Sequence, residues 1–282
     1  MLAKRKKMLI WFLIAALLFV MLCIAALDYR ISAPIYAEHS EKITSGVRIA
    51  LISDHHSSSY GSDQQELMQA IRAQQPDLIL LTGDIFDDAP PHDNALTLLQ
   101  QIGKEYPCFY VAGNHEFWSG EINVLKDKIR ACGITVLEGS GKRLFIKGQE
   151  LYICGVDDPE CSKHTAEGIA DWDTQLERCC MGIPKDIYSI LLSHRPELTD
   201  RYQNSGFDLV LAGHAHGGQV RIPGILNGLF SPGEGFFPKY AGGRYELNGN
   251  VTLIVSRGLA KSALPRVFNP PELVIVDLLP RE

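Results

Sequence analysis

Cysteine is sparse, cationic charge is sparse outside one short stretch, and neither internal repeats nor low-complexity tracts occur. Seven cysteines in 282 residues, none in a Cys-x-x-Cys spacing, are too few for a disulfide scaffold and exclude zinc ribbons and thioredoxin-type redox motifs. The net charge is −6, and four of the 27 basic side chains (Lys4, Arg5, Lys6 and Lys7) sit together at the N-terminus. Beyond them 23 basic residues stand against 33 acidic ones, which leaves no broad basic face for duplex DNA. No arginine pair precedes the first apolar run, so there is no twin-arginine export signal. What is plentiful is apolar: 46% of the chain, enough to bury a sizeable core and to exclude disorder.

From Met8 to Leu27 there is no charge, glycine or proline, and twenty such residues cross a hydrocarbon core of about 30 Å as a helix. The chain therefore divides into a basic cytoplasmic tail (1–7), a transmembrane signal-anchor (8–27), a linker (28–46) and a domain (47–282). A cleaved signal peptide is the rival, but the run exceeds the usual length of such a segment and only Ala25-Ala26 offers a weak cleavage signal. Leu22 before Cys23 is too bulky for a lipoprotein site. Four Lys/Arg precede the run and two, Arg30 and Lys42, follow it closely, so the N-terminus is expected in the cytoplasm and the domain outside the cell membrane. An outside location permits disulfides. Cys108 and Cys154 lie in apolar runs and read as buried thiols, whereas pairing of Cys161 with Cys179 or Cys180 stays open.

Five short apolar runs, 47–53, 77–83, 108–113, 188–194 and 207–213, have the character of strands buried on both faces. Helical stretches at 63–74, 94–104 and 121–131 alternate with the early ones, which favours α/β layering. Later, 142–156 and 244–258 read as hairpins around polar turns, and 272–279 as a final strand. Two packed sheets with helices outside accommodate all of these.

The chemistry-bearing residues stand where strands end. Asp54-His55-His56 follows the first run, Gly83-Asp84-Ile85-Phe86-Asp87 the second and Gly113-Asn114-His115-Glu116 the third. Ser193-His194 and Gly213-His214-Ala215-His216 follow the next two. The C-terminal edge of an α/β sheet is where ligand sites collect. Each block alone is weak; five in order, each at a strand end, are hard to attribute to chance. Carboxylate, imidazole and amide oxygen without thiolate suit Mn²⁺, Fe²⁺ or Zn²⁺. His39, His55, His92 and His164 lie outside this set and read as surface or supporting residues.

In these five blocks the sequence resembles the calcineurin-like metallophosphoesterases. More narrowly, 212–224, 233–245 and 255–273 resemble the bacterial membrane-associated, YkuE- and YaeI-type phosphodiesterase branch. His55 stands where an aliphatic residue is common. The resemblance implies a four-layer α/β/β/α sandwich and two divalent metal ions. It implies that Asp54, His56 and His216 hold one ion, that Asn114, His194 and His214 hold the other, and that Asp84 bridges them. The activity implied is hydrolysis of a phosphodiester by a metal-bridged hydroxide, with His115 as general acid or phosphate-oxygen donor. Asp87 would fix the tautomer of His115. Two carboxylates and one hydroxide against two divalent ions leave about +1 to attract phosphate.

Tyr60, Phe117, Trp118, Phe236 and Phe237 are candidates for an apolar rim, and Arg257 and Arg266 for contacts to phosphate oxygen. A rim at a tethered domain would suit an amphiphilic substrate, such as a lipid or lipid-linked envelope precursor. Two alternatives remain at this stage: a nucleotide-sugar or UDP-lipid pyrophosphatase, which an outside location disfavours, and a non-catalytic scaffold, whose mark would be missing ligands.

Overall fold

The apolar runs form strands that are covered on both sides. The computed structural model describes residues 2–261 and 264–281. The chain runs through α1 (Leu2–Ala26), β1 (Ile35–Ser40), β2 (Val47–Ile52), α2 (Gln65–Gln74), β3 (Leu78–Thr82), α3 (Asp93–Glu105), β4 (Cys108–Val111), α4 (Asn114–Trp118), α5 (Ile122–Ala131), β5 (Thr135–Val136), β6 (Ser140–Ile146) and β7 (Gln149–Gly155). It continues through α6 (Trp172–Met181), β8 (Tyr188–Leu192), α7 (Thr199–Tyr202), β9 (Leu209–Ala212), β10 (Phe230–Ser231), β11 (Gly235–Phe236), β12 (Gly243–Glu246), β13 (Thr252–Val255) and β14 (Val274–Pro280).

Two six-stranded mixed sheets result, in the orders β1-β14-β2-β3-β4-β5 and β12-β13-β9-β8-β7-β6. The period-2 alternation of strands is present but hidden, since both faces demand apolar side chains. In β2, Ile49 and Leu51 join the core between the sheets, while Ala50 and Ile52 turn to the helices. In β9, Leu209 and Leu211 point between the sheets, and Val210 points outward. α2, α3 and α5 each present an apolar stripe, Leu67/Met68/Ile71, Leu98/Leu99/Ile102 and Leu125/Ile129, to the first sheet's outer cluster. α6 packs on β6 and β7. These are the four layers expected.

The expected linker is not wholly a linker. β1 adds a parallel edge strand to β14, Ile35 opposite Ile275 through Ser40 opposite Pro280. Its one buried residue is Glu38, held by Arg244 at 2.5 Å and Thr252 at 3.1 Å, so no apolar period marks the strand. All seven cysteines are free thiols, and Cys108, Cys154, Cys161 and Cys179 are buried. In α1, the stretch Lys4–Ala26 is unburied by protein and uncharged from Met8 on; 23 helical residues span about 34 Å, long enough to cross a membrane.

Candidate metal centre

The parallel strands of both sheets deliver their C-terminal ends to one place, and there the backbone turns abruptly. Asp54, His56, Asp84, His214 and His216 all have φ between 46° and 65°, a left-handed conformation that costs a non-glycine residue about 1–3 kcal/mol. Five such residues at the ends of β2, β3 and β9 persist because the surrounding backbone over-determines them. His56 N donates to Asp84 O and Asp54 N to Gly83 O, each at 3.0 Å. His214 N donates to Asp54 Oδ1 at 2.9 Å, and His115 N to Asp84 Oδ1 at 2.9 Å. The loops interlock so closely that a Cβ on Gly113 would lie 2.2 Å from Asp84 Oδ1, and one on Gly213 2.3 Å from Asp54 Oδ2. Only glycine fits at either position.

The remaining donor atoms converge. Asp54, His56 and His216 each offer a ligand atom within 4.8 Å of the others, and so do Asp84, His194 and His214. His216 Nε2 lies 3.6 Å from Asp54 Oδ1; His56 Nε2 is 3.6 Å and His194 Nε2 3.1 Å from Asp84 Oδ2. Asp54, Asp84, Asn114, His194 and His214 are buried. Among the described residues, the buried atoms His56 Nε2, Asn114 Oδ1 and His216 Nδ1 have no hydrogen-bond partner, and Asp84 Oδ2 has only the ion contacts to His194 and His56. Orphaned buried polar atoms are costly, and a divalent cation among them supplies what they lack. The residues present therefore fit a metal.

Electrostatics among the residues alone point the same way. Burial would raise the Asp84 carboxyl, but His194, His56 and His115 outweigh it and hold it well below the usual range. Burial would lower His194, but Asp84 reverses this and raises it to about 10. Burial pushes His216 down to about 4 and, with the charges of His194 and Arg195, depresses His214 further. The carboxylates thus demand positive charge that only part of the imidazole set supplies. His194 Nδ1 lies 2.7 Å from Thr82 O, a bond that fixes its tautomer and leaves Nε2 toward Asp84. His214 Nδ1 faces His194 Nε2 at 3.2 Å, while Arg195, paired to Asp158 at 2.6 Å, donates to His214 Nε2 at 3.0 Å. For His214 to ligate through Nδ1 its proton must reside on Nε2, and Arg195 must then turn aside.

A cleft of about 410 Å³ opens over this point, lined by His56, Ser58, Asp87, His115, His216 and Lys261 among others. His115 stands edge-on to His56, ring centroids 4.4 Å apart, and its Nδ1 lies 3.1 Å from Asp87 Oδ1. Trp118, half exposed, places its ring 5.0 Å from that of His115.

Four other expected substrate contacts are placed elsewhere. Phe117 is buried in the helix-side core. Tyr60 is 1% exposed, and its hydroxyl donates to Leu259 O. Arg266 is likewise 1% exposed, with its guanidinium spent on the carbonyls of Asn269, Ala260, Arg257 and Gly258. Arg257 pairs with buried Glu272. Both arginines brace the loop before β14 instead of reaching into the cleft. Phe236 and Phe237 are exposed beside the β10–β11 turn and are absent from the cleft lining. Of the remaining histidines, His55 is fully buried beside Asp54, whereas His39 and His164 make exposed contacts with Pro280 O and Glu167.

One participant escaped sequence reasoning although its letter closed the third block. The Glu116 carboxylate is buried and accepts four backbone N–H groups: Asp84 at 2.9 Å, Ile85 at 2.7 Å, Phe86 at 3.0 Å and Gly113 at 2.8 Å. It clamps the Asp84 turn to the Asn114 turn. Asn269 is a second, its side chain donating to His216 O at 2.7 Å.

Residues 47–218 match the calcineurin-like phosphoesterase family. The chain is 29% identical over 240 residues to the uncharacterized metallophosphoesterase YkuE of Bacillus subtilis (strain 168), covering 83% of this chain and 79% of that protein. An uncharacterized metallophosphoesterase of Aquifex aeolicus (strain VF5) is 30% identical over 251 residues, covering 86% and 90%. A Danio rerio protein named transmembrane protein with metallophosphoesterase domain is 26% identical over 244 residues, 83% of this chain and 53% of its own.

Proposed function

The chain belongs to the calcineurin-like phosphoesterase family, metal-dependent phosphoester hydrolases, and from that premise we propose that it is a membrane-anchored phosphodiesterase using two divalent ions. Asp54, His56 and His216 would hold one ion and Asn114, His194 and His214 the other, with Asp84 available to both. The carrying observation is the convergence of buried donor atoms that find no partner in the protein. A complete donor set also favours catalysis over a scaffold role. The thiolate-free set suits Mn²⁺, Fe²⁺ or Zn²⁺.

When bound, the ion pair supplies Lewis acidity and activates water for in-line attack at phosphorus. The chain's own groups do the rest. His115 stands at the cleft with Nδ1 donating to Asp87, so the ring is held with Nε2 toward the substrate. Protonated on both nitrogens, it hands Nε2–H to the departing oxygen. Asp87 is a positioning residue, and Trp118 packs beside His115, ring centroids 5.0 Å apart, outside the cleft lining. The N-terminus lies in the cytoplasm and the domain on the outer face, following the basic residues Lys4 to Lys7 in the first turns of α1. An amphiphilic phosphodiester fits a cleft tethered to a bilayer.

The test is hydrolysis of bis-p-nitrophenyl phosphate by the detergent-solubilised full chain, dependent on added Mn²⁺ and abolished in Asp84→Asn at unchanged folding. Activity persisting in Asp84→Asn refutes the assignment of Asp84. A UDP-sugar hydrolysed while diesters are left intact replaces this reading with a pyrophosphatase.

A further inference from the structure

Residues 266–268 meet the end of α1, and residues 259–261 meet the cleft. Ala26 O, at the close of α1, accepts from Phe268 N at 2.7 Å, and the Tyr29 hydroxyl accepts from Arg266 N at 3.2 Å. At the centre, Leu259 N donates to Asp54 O at 3.1 Å, and Lys261 lines the cleft. Val267 pairs with Val220, shortly after His216. The apolar helix therefore leaves the domain from the loops that carry the proposed metal site.

Apolar side chains gather along those loops. Ile222, Ile225, Phe230, Phe236 and Phe237 are 45%, 85%, 44%, 71% and 68% exposed. Ile222 and Ile225 lie in one turn, Ile225 N donating to Ile222 O. Phe230 and Phe236 meet across the β10–β11 pair with ring centroids 5.3 Å apart, and Phe236 and Phe237 are 6.4 Å apart. Leu229 N donates to Gly218 O and Phe237 N to Leu229 O, which ties this apolar hairpin to the turn just after His216. Exposed Lys239 follows, its Nζ 4.9 Å from the Tyr240 ring. Elsewhere on the domain the large exposed apolar residues Val124, Phe145 and Met181 lie on three different elements, α5, β6 and α6.

We propose that the Ile222–Phe237 edge docks on the lipid bilayer that α1 spans, so that the cleft opens against the membrane and takes phosphodiesters carried on lipids. The occupant is a bilayer surface because the edge is continuous, through Phe268 and Ala26, with a helix long enough to span one. Exposed aromatic and aliphatic side chains with a nearby lysine suit the interfacial layer. Tethering by α1 makes docking intramolecular, so a small apolar edge suffices. The substrate claim rests on the phosphodiesterase reading; the docking claim does not.

The test uses the full chain in vesicles of phosphatidylethanolamine, phosphatidylglycerol and cardiolipin, all phosphodiesters. A photoreactive benzophenone amino acid is placed at position 225, 236 or 237, with position 145, 75% exposed on β6, as control. Lipid adducts at the first three positions exceed those at 145 by about tenfold if the edge sits in the interface. Adduct levels equal to those at 145, or capture of a second chain instead, overturn docking. A second arm compares the wild type with Ile225→Ser/Phe236→Ser/Phe237→Ser: release of lipid headgroup from the vesicles falls about tenfold while soluble bis-p-nitrophenyl phosphate is hydrolysed as before. A wild-type chain that cleaves the soluble diester but no vesicle lipid refutes the lipid substrate alone. Failure on the soluble diester removes the phosphodiesterase reading and leaves the adducts to judge docking.

Discussion

Replacing Glu116 with alanine should dismantle the centre without touching any proposed ligand. Its carboxylate accepts four buried N–H groups, at 2.7–3.0 Å, from the two turns that carry Asp84 and Asn114. An unsatisfied buried donor costs about 1–3 kcal/mol, so four cost at least about 4 kcal/mol against a total stability of about 5–15 kcal/mol. For a domain of this size that is a fall in melting temperature of at least about 8 °C. Glu116→Gln separates stability from geometry. Its amide keeps one acceptor oxygen and sets an NH₂ against two N–H donors, losing two bonds. Yet the native carboxyl, pushed up to about 7 by burial and by Asp84, is a disfavoured charge, and a neutral side chain recovers part of the loss. The glutamine chain should therefore melt much closer to wild type while binding Mn²⁺ about 10–100-fold more weakly, the usual effect of disturbing a group behind the ligands. Melting of the detergent-solubilised chain and Mn²⁺ titration read the two effects. A Glu116→Ala chain that melts with the wild type and binds Mn²⁺ equally well would refute the clamp.

His115→Ala should lower kcat by about 10²–10⁴-fold at unchanged metal content, and Asp87→Asn by about 10–100-fold. Both losses should shrink for diesters with a p-nitrophenol leaving group, which departs without a proton; equal losses for alkyl and nitrophenyl diesters would contradict the acid role. His55 titrates in the opposite sense to a stabilising ion pair: burial pushes it down to about 4 from 6.5, so between those values the unfolded chain binds more protons and stability falls with acidification. His55→Phe should therefore gain about 3 kcal/mol on the wild type between pH 7 and pH 4, and parallel stability curves of the two chains would dismiss that.

What could be read from the letters was whatever burial repeats along the chain. Runs such as 188–192 and 209–212 must be apolar at every position when two layers cover them, and polar residues at their ends can only face the open edge. The site blocks were visible for that reason. β1 was not, because an edge strand holding Glu38 against Arg244 carries no apolar period. Nor do letters reveal direction: Arg257 and Arg266 looked like arms for phosphate, yet their guanidinium groups are consumed by Glu272 and by loop carbonyls. Glu116 was in view but silent, since four backbone donors leave no mark in sequence. The left-handed turns at Asp54, His56, Asp84, His214 and His216 were equally hidden: Asp and His enter that region more readily than most residue types, yet too seldom for the letters alone to mark a turn.

The central claim, that these turns gather donors for a pair of ions, is tested most directly by counting metal and its magnetic coupling in the full chain loaded with Mn²⁺. Mass spectrometry should find two ions per chain, electron paramagnetic resonance should show them spin-coupled, and Asp84→Asn should abolish the coupling. One isolated ion per chain, none at all, or coupling that survives the loss of Asp84 would contradict the account.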